Sequence, residues 1–584
     1  MRKRNLASVL VACGLLVSAG FLSSAASASA VVHHTWYVSA SAPAGGTGTK
    51  AAPFNTLSAV QDASGPGDTI VVLPSPLSVP PLDGGIALQP DQRLIGAGPA
   101  VLRSSQSAGL TALPRITNSS AATNSGDAVD LANGAEVSNL VVDGSYRGAV
   151  YGLDVTGVTV QGNDISGQDT SCSNGFLVQP FDLETYTPFV GDYDSSGVQN
   201  GWAAIMLDEP YSRGSVSVTG NYIHDGVCGD GIDIRTMNIG HVTATVAHNF
   251  ITRLPQGAAQ HSVLAIGMQA IGSSVLRVSN DYNTETYIGS TGADCEGQFA
   301  NPAGSGTLID NIDHNTFAHG IGGASCNGFE YILSNGNATG KVAISNSTFA
   351  DDPGDMFEEF DYGAHSHMAL TLDHVTADGT TISNGVPSYA MPSGTATITG
   401  NLGECLGVSQ DGAGDVTSLR MVNSVFSGCD NDGIQITNNH TTSPLNGPGT
   451  PKSISVDIER SKITGSRYYD LWVNNLTPLG SLSVKVARSD LSDSVSGVAV
   501  AFDQQPAGTT GSARIDLGGG SLGSVGENCI AGGVIYNLEA TGYHVSAEHD
   551  WWGAPGAPAP GTTASTPAGE LDTSGGLLSP PAAC

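Results

Sequence analysis

Between Val137 and Leu491 the chain repeats one hydrophobic and polar phrase nine times: an apolar residue, two small or polar residues, an Asn, Ser or Leu, any residue, and a second apolar residue. It reads Val160-Gln-Gly-Asn-Asp-Ile165, Val246-Ala-His-Asn-Phe-Ile251, Ile312-Asp-His-Asn-Thr-Phe317 and Val486-Ala-Arg-Ser-Asp-Leu491, among others. Weaker copies begin at Val278, Leu372 and Ile398; with these, most copies start 23 to 37 residues apart, and only Val160 to Val218 leaves room for a large insertion. Such a period means stacked repeats. Each copy alternates apolar and polar residues at period two and is punctuated by Gly, Asn, Asp and Ser, which predicts short strands joined by tight turns. A second string predicts another strand downstream: Gly152-Leu-Asp-Val155, Gly231-Ile-Asp-Ile234, Gly433-Ile-Gln-Ile436 and Gly497-Val-Ala-Val500. A rung of this kind cannot bury its apolar side alone, but rungs stacked about 4.8 Å apart can. The Asn position then aligns with itself, and its side chains can bond along the column. A β-sandwich is also rich in strands and turns, but it does not require one fixed phrase. The expected fold is therefore all-β, a single solenoid.

The ends of the chain make the resemblance specific. Trp36-Tyr-Val-Ser-Ala-Ser-Ala-Pro opens the chain, followed by Phe54-Asn-Thr-Leu and Gly67-Asp-Thr-Ile-Val-Val72. Leu94-Ile-Gly-Ala-Gly98 follows, and Glu548-His-Asp-Trp-Trp-Gly553 stands near the end. With the repeats, these strings resemble the right-handed parallel β-helix proteins of the pectate-lyase-like superfamily. The resemblance implies an N-terminal cap and first rung over 31–80, a β-helix over 81–553 with an insertion at 168–205, and a Pro/Ala/Gly-rich segment with a returning strand over 554–584. It identifies a fold rather than an activity, because the superfamily hosts lyases, hydrolases, isomerases, adhesins and passive surface proteins.

Residues 1–30 carry a basic start, an apolar stretch from Leu6 to Leu22 and Ala28-Ser-Ala30, the pattern of a secretory signal. No other segment is long and apolar enough to span a bilayer. An extracellular, monomeric protein is expected. Without Cys13 the chain keeps eight cysteines, an even number that suggests disulfides. Cys172 with Cys228 and Cys405 with Cys429 are the expected pairs, each tying a projecting loop to a neighbouring rung; unpaired buried thiols are the alternative. Without the signal the chain carries 18 basic against 53 acidic side chains. Such a charge repels polyanions, so nucleic acid is excluded as a partner and neutral glycans are favoured over acidic ones.

In this superfamily the substrate groove follows the face of the Gly-Ile-x-Ile strand. Outward carboxylates on successive rungs would lie about 5 or 10 Å apart, spacings that suit retaining and inverting glycosidases. The densest candidate segment runs from Asp351 to His367, with Asp351, Asp352, Asp355, Glu358, Glu359 and Asp361 followed by His365 and His367. Packed carboxylates raise one another's pKa, which suits general acid work, or they hold calcium. The candidate catalytic residues are Asp233, Glu330, Glu358, Glu359 and Asp361, with Arg235 as the base of a lyase. Asp351, Asp352 and Asp355 are candidate calcium ligands, although no cofactor is required. Trp202, Tyr193, His365 and His367 are candidate sugar-binding residues. The Gly-His-Gly string of the polygalacturonase branch is missing. Three readings stay open: a carboxylate-dependent glycoside hydrolase acting on extracellular polysaccharide, a noncatalytic cell-surface or matrix protein, and a calcium-dependent polysaccharide lyase.

Overall fold

A computed structural model describes residues 32–98, 111–178, 181–182, 187–188, 199–254, 261–290, 295–322, 326–334, 336–361, 365–380, 388–391, 394–397, 403–410, 415–438, 452–475, 479–504, 512–566 and 570–584. The secretory signal, Tyr193 and the stretches 179–180, 183–186 and 189–198 of the 168–205 insertion lie outside these residues.

The chain is a right-handed parallel β-helix. Each complete coil contributes one strand to each of three sheets, of 17, 13 and 17 strands, and successive coils pair in parallel, while Asn174–Val178 and Gln199–Gly201 of the insertion pair antiparallel in the third sheet. In one complete coil, His241–Ala247 lies in the first sheet, Phe250–Leu254 in the second and His261–Gly272 in the third, before Val275–Asp281 returns to the first. Inward residues form columns along the axis. Val218, Val246 and Ile312 of the first sheet and Ile223, Ile251 and Phe317 of the second are fully shielded from solvent. A turn of helix at Leu57–Ala63, capped by the Thr56 hydroxyl, presses Leu57 and Val60 onto the first coil.

The repeated phrase is the corner between the first and second sheets, and its chemistry follows from that geometry. Its third residue turns the chain with a left-handed backbone, as at His248 (φ 57°), His314 (φ 54°) and Arg488 (φ 53°). The next residue points inward and bonds the coil above. Asn163, Asn221, Asn249, Asn283 and Asn315 form this ladder, each Oδ1 accepting the backbone N–H of the preceding member at 2.8–3.1 Å. Ser347 takes over from Asn315, and Ser424, Ser461, Ser489, Asn528 and Asp550 continue the column, each accepting a backbone N–H. Serine serves because a hydroxyl also accepts from the N–H of the coil below.

Three details differ from the sequence reading. The weak copy assigned to Val278 begins at Asn280, which turns into the coil along with Glu285. Asn280 donates to Gln298, and Gln298 donates to Glu285 at 3.0 Å, so the apolar positions of this rung are polar but bonded. The copy assigned to Ile398 is not a rung. His367–Asp373 pairs directly with Val416–Val422, and Ser388–Met391 and Gly394–Thr397 form a separate hairpin; Ile398 itself lies outside the described residues. At Gly152 the strand is Val150–Leu153, with Val150 inward and Leu153 exposed, so the string there is out of phase with Gly231-Ile-Asp-Ile234.

Four disulfides staple the coil: Cys172–Cys228, Cys295–Cys326, Cys405–Cys429 and Cys529–Cys584. Both expected pairs are present. Among the described residues no helix is long and apolar enough to cross a membrane.

Candidate active site

The outer face of the third sheet carries two rows of side chains. Aligned strands place Asp233, Gly267, Phe299, Glu330, Glu358, Gly407, Gln435, Trp472, Ala501 and Glu539 in one row. The second row holds Arg235, Gln269, Asn301, Ile332, Phe360, Ser409, Thr437, Asn474, Asp503 and Thr541 in the same order.

The acids predicted together do not all meet. Strand alternation turns Glu358 outward and Glu359 and Asp361 inward. Asp361 accepts hydrogen bonds from Ser366 and from Thr417 at 2.8 Å, while burial pushes the Glu359 carboxyl well above its ordinary range. Glu330 stands beside Glu358 on the next coil. Asp233 shares their row but lies three coils from Glu330, roughly 14 Å at strand spacing. There it forms a buried pair with Asp230, both accepting from Asn200 Nδ2. Arg235 is tied to Asp208 by two bonds of 3.1 Å.

The candidate sugar-binding residues fare differently. Trp202 is 8 % exposed, with Arg147 lying 3.8 Å from its ring centre and Tyr151 against it. It therefore belongs to an outer apolar layer with Leu177, Met206, Leu264, Phe299 and Ile332, and its ring is not open to a sugar face. His365 and His367 are exposed at the entry to the first sheet, away from the two rows. The candidate calcium ligands diverge. Asp351 pairs with His319 at 2.9 Å, Asp352 is buried, and Asp355 faces the third sheet's groove. Among the described residues no group of three His, Cys, Asp or Glu side chains has metal-holding geometry.

What does converge is a cleft of about 160 Å³ lined by Asp355, Glu358, Phe360, Glu404, Gly407, Ser409, Gln435 and Thr437. Asp355 and Glu404 are 49 residues apart in sequence, but each stands just before its third-sheet strand on adjacent coils. Asp355 Oδ1 accepts the Glu404 backbone N–H at 2.8 Å, and the two carboxyl groups hydrogen-bond each other. Burial, then Glu404, then Glu358 hold the Asp355 carboxyl well above its ordinary range. Amides set the other groups. Asn327 accepts the Asp355 N–H at 2.9 Å and donates to Glu358 at 2.5 Å. Glu404 Oε1 accepts from Asn431 and Gln435, both at 2.6 Å, and Gln435 also donates to Asp432 at 3.0 Å. Burial pushes Asp432 up to about 7. Gly407 keeps the floor open, since a Cβ there would lie 3.1 Å from Asp355 Oδ2. The Cys405–Cys429 bridge fixes the residues flanking Glu404 and Asn431.

Sequence reasoning missed Glu404, Asn431, Asp432, Gln435 and Asn327. One signal pointed to part of this group. Asp432-Gly-Ile-Gln-Ile436 repeats the layout of Asp230-Gly-Ile-Asp-Ile234, which puts an acid at the groove end of each such strand.

No protein-family model and no curated protein matches this chain. Among solved structures the chain is similar to "Crystal structure of the catalytic unit of thermostable GH87 alpha-1,3-glucanase from Streptomyces thermodiastaticus strain HF3-3" at 13% identity and TM-score 0.35, covering 90% of this chain and 67% of that one. It is also similar to "Rhamnogalacturonan lyase" at 11% identity and TM-score 0.30, covering 73% and 87%. A third is "Crystal structure of DFA-IIIase from Arthrobacter chlorophenolicus A6 in complex with GF2" at 14% identity and TM-score 0.29, covering 69% and 85%. At these values the likenesses carry no inference about activity.

Proposed function

We propose that this is a secreted glycoside hydrolase acting on neutral polysaccharide at the Asp355/Glu358/Glu404 cleft. The observation that carries the reading is the buried Asp355 carboxyl, raised by burial and by the neighbouring Glu404, set beside Glu358 in an open groove. Burial beside two further carboxylates disfavours the ionised form of Asp355, so it keeps its proton to a higher pH than an ordinary carboxyl group. Asp355 is then the general acid that protonates the leaving oxygen of a glycosidic bond, its pKa kept high by burial and by Glu404 beside it. Glu358, oriented by Asn327, is the carboxylate that activates water or attacks the sugar carbon. The acidic groove disfavours uronate chains and leaves neutral ones unopposed.

The test is hydrolysis of soluble neutral glycans, with polygalacturonate as the charged comparison. Glu358→Gln and Asp355→Asn are each expected to lower kcat at least 100-fold while far-UV circular dichroism stays unchanged. A general acid must be protonated, so wild-type activity should fall as pH rises through the raised Asp355 pKa. Cleavage that survives both substitutions would reject the site.

A further inference from the structure

The row that holds Glu358 continues past Gly407 and Gln435, which line the cleft, to Trp472. Trp472 is therefore three coils from Glu358, roughly 14 Å at strand spacing. It is half-buried on the outer face, and the ring of Tyr469, also half-buried, stacks on it with centres 5.0 Å apart and planes 20° apart. The indole is held from one side, its Nε1 donating to Asp503 at 2.9 Å. Asp503 stands on the next coil, where Ala501 presents only a methyl group to the row, and Glu539 follows one coil further. Asp503 and Glu539 stand diagonally on adjacent coils, Ala501 pairing with Glu539 and Asp503 with Thr541, and burial and then Asp503 push the Glu539 carboxyl up. From Glu330 to Glu539 neither outward row contains a Lys or Arg.

The geometry points to a second sugar site: the Tyr469–Trp472 pair, with Asp503 and Glu539 as hydroxyl acceptors, binds an uncharged pyranose or furanose unit of a polysaccharide lying along the helix axis. The chemistry is that of carbohydrate recognition in general. An aromatic face meets the C–H face of a sugar ring, and fixed carboxylates accept from its hydroxyls. The spacing adds the direction of the chain. An extended glycan advances by several ångströms per residue, so a chain with a bond at Glu358 brings a unit two or three residues away over Trp472. The absence of Lys and Arg from both rows between Glu330 and Glu539 selects against uronate chains, whose carboxylates would meet no cation along those rows. This inference rests on the reading of the acid cleft for its chain direction, while its binding measurement needs no turnover.

The test is affinity electrophoresis and calorimetry of the Glu358→Gln protein with a soluble α-glucan, β-glucan, xylan, fructan and polygalacturonate. At least one neutral polymer is expected to bind and polygalacturonate to be ignored. Adding Trp472→Ala should weaken that binding about tenfold, Trp472→Phe should largely retain it, and Tyr469→Ala should fall between. Circular dichroism and a urea midpoint check that each variant folds. Binding unchanged in the folded Trp472→Ala protein, preferred binding of polygalacturonate, or no binding to any polymer would each overturn the inference. Tryptophan-dependent binding without hydrolysis by the unsubstituted protein would keep the subsite and reject the hydrolase reading.

Discussion

Asn249 offers the sharpest test of how the coils hold together. Its buried side chain makes four hydrogen bonds of 3.0 Å, accepting from the backbone and side chain of Asn221 and donating to the Val218 carbonyl and to Asn283 Oδ1. Alanine removes all four, leaves the Asn221 backbone N–H without its acceptor and strips one partner from each of the others. A buried donor left unpaired costs about 1–3 kcal/mol, and each further bond contributes about 1 kcal/mol net, so Asn249→Ala should cost about 3–6 kcal/mol. Asn249→Ser should cost about half as much, because a hydroxyl can still accept the Asn221 N–H, as Ser347 does from Asn315 at 3.0 Å. Asn311→Ala, on the exposed side of the first sheet, should change stability by less than about 0.5 kcal/mol. Solenoid stability is close to a sum over neighbouring rungs, so the loss should be local. Hydrogen exchange of peptides spanning 215–251 should therefore accelerate in Asn249→Ala while peptides beyond 420 stay protected, and the urea midpoint should fall. An Asn249→Ala protein indistinguishable from Asn311→Ala by both measurements would refute the ladder's energetic role.

Two further predictions follow from buried acids and from the staple beside the cleft. Burial pushes Glu285 up to about 8, so the folded state binds more protons than the unfolded one between the ordinary glutamate pKa and that value, and the stability it carries at low pH is lost as pH rises through about 8. Glu285→Gln should therefore change the thermal midpoint little at pH 5 and raise it at pH 9, with a difference on the order of 3–5 kcal/mol by the pKa displacement; equal shifts at both pH values would contradict this. The Cys405–Cys429 bridge closes a loop of 24 residues and flanks Glu404, so Cys405→Ser with Cys429→Ser should cost about 3 kcal/mol in urea unfolding and lower kcat by displacing Glu404. Full activity in the folded double variant would separate the bridge from the site.

The architecture was legible because the corner demands a local chemistry. A left-handed residue followed by an inward Asn or Ser can be recognised in most rungs, with Leu140 and Val375 standing at that position in two others, whereas the copy at Asn280 was misplaced by two residues because Asn280 and Glu285 stand where apolar residues are expected. The site was only half legible. Six acids between Asp351 and Asp361 marked the right coil, but their density could not say which of them strand alternation turns outward, and Glu359 and Asp361 face inward. Glu404 was hidden because the 381–402 segment separates it from Asp355 in sequence while the coil makes them neighbours. Trp202 looked like a sugar platform because its covering by Arg147 and Tyr151 depends on contacts between coils that no local pattern encodes.

Cleavage of a neutral polysaccharide in H₂¹⁸O, read by mass spectrometry of the products, tests the hydrolytic cleft most directly. The account predicts one ¹⁸O at each new reducing end with the wild-type protein and no new ends with Glu358→Gln. Unsaturated products without ¹⁸O, or an intact polymer with every neutral glycan tried, would contradict it.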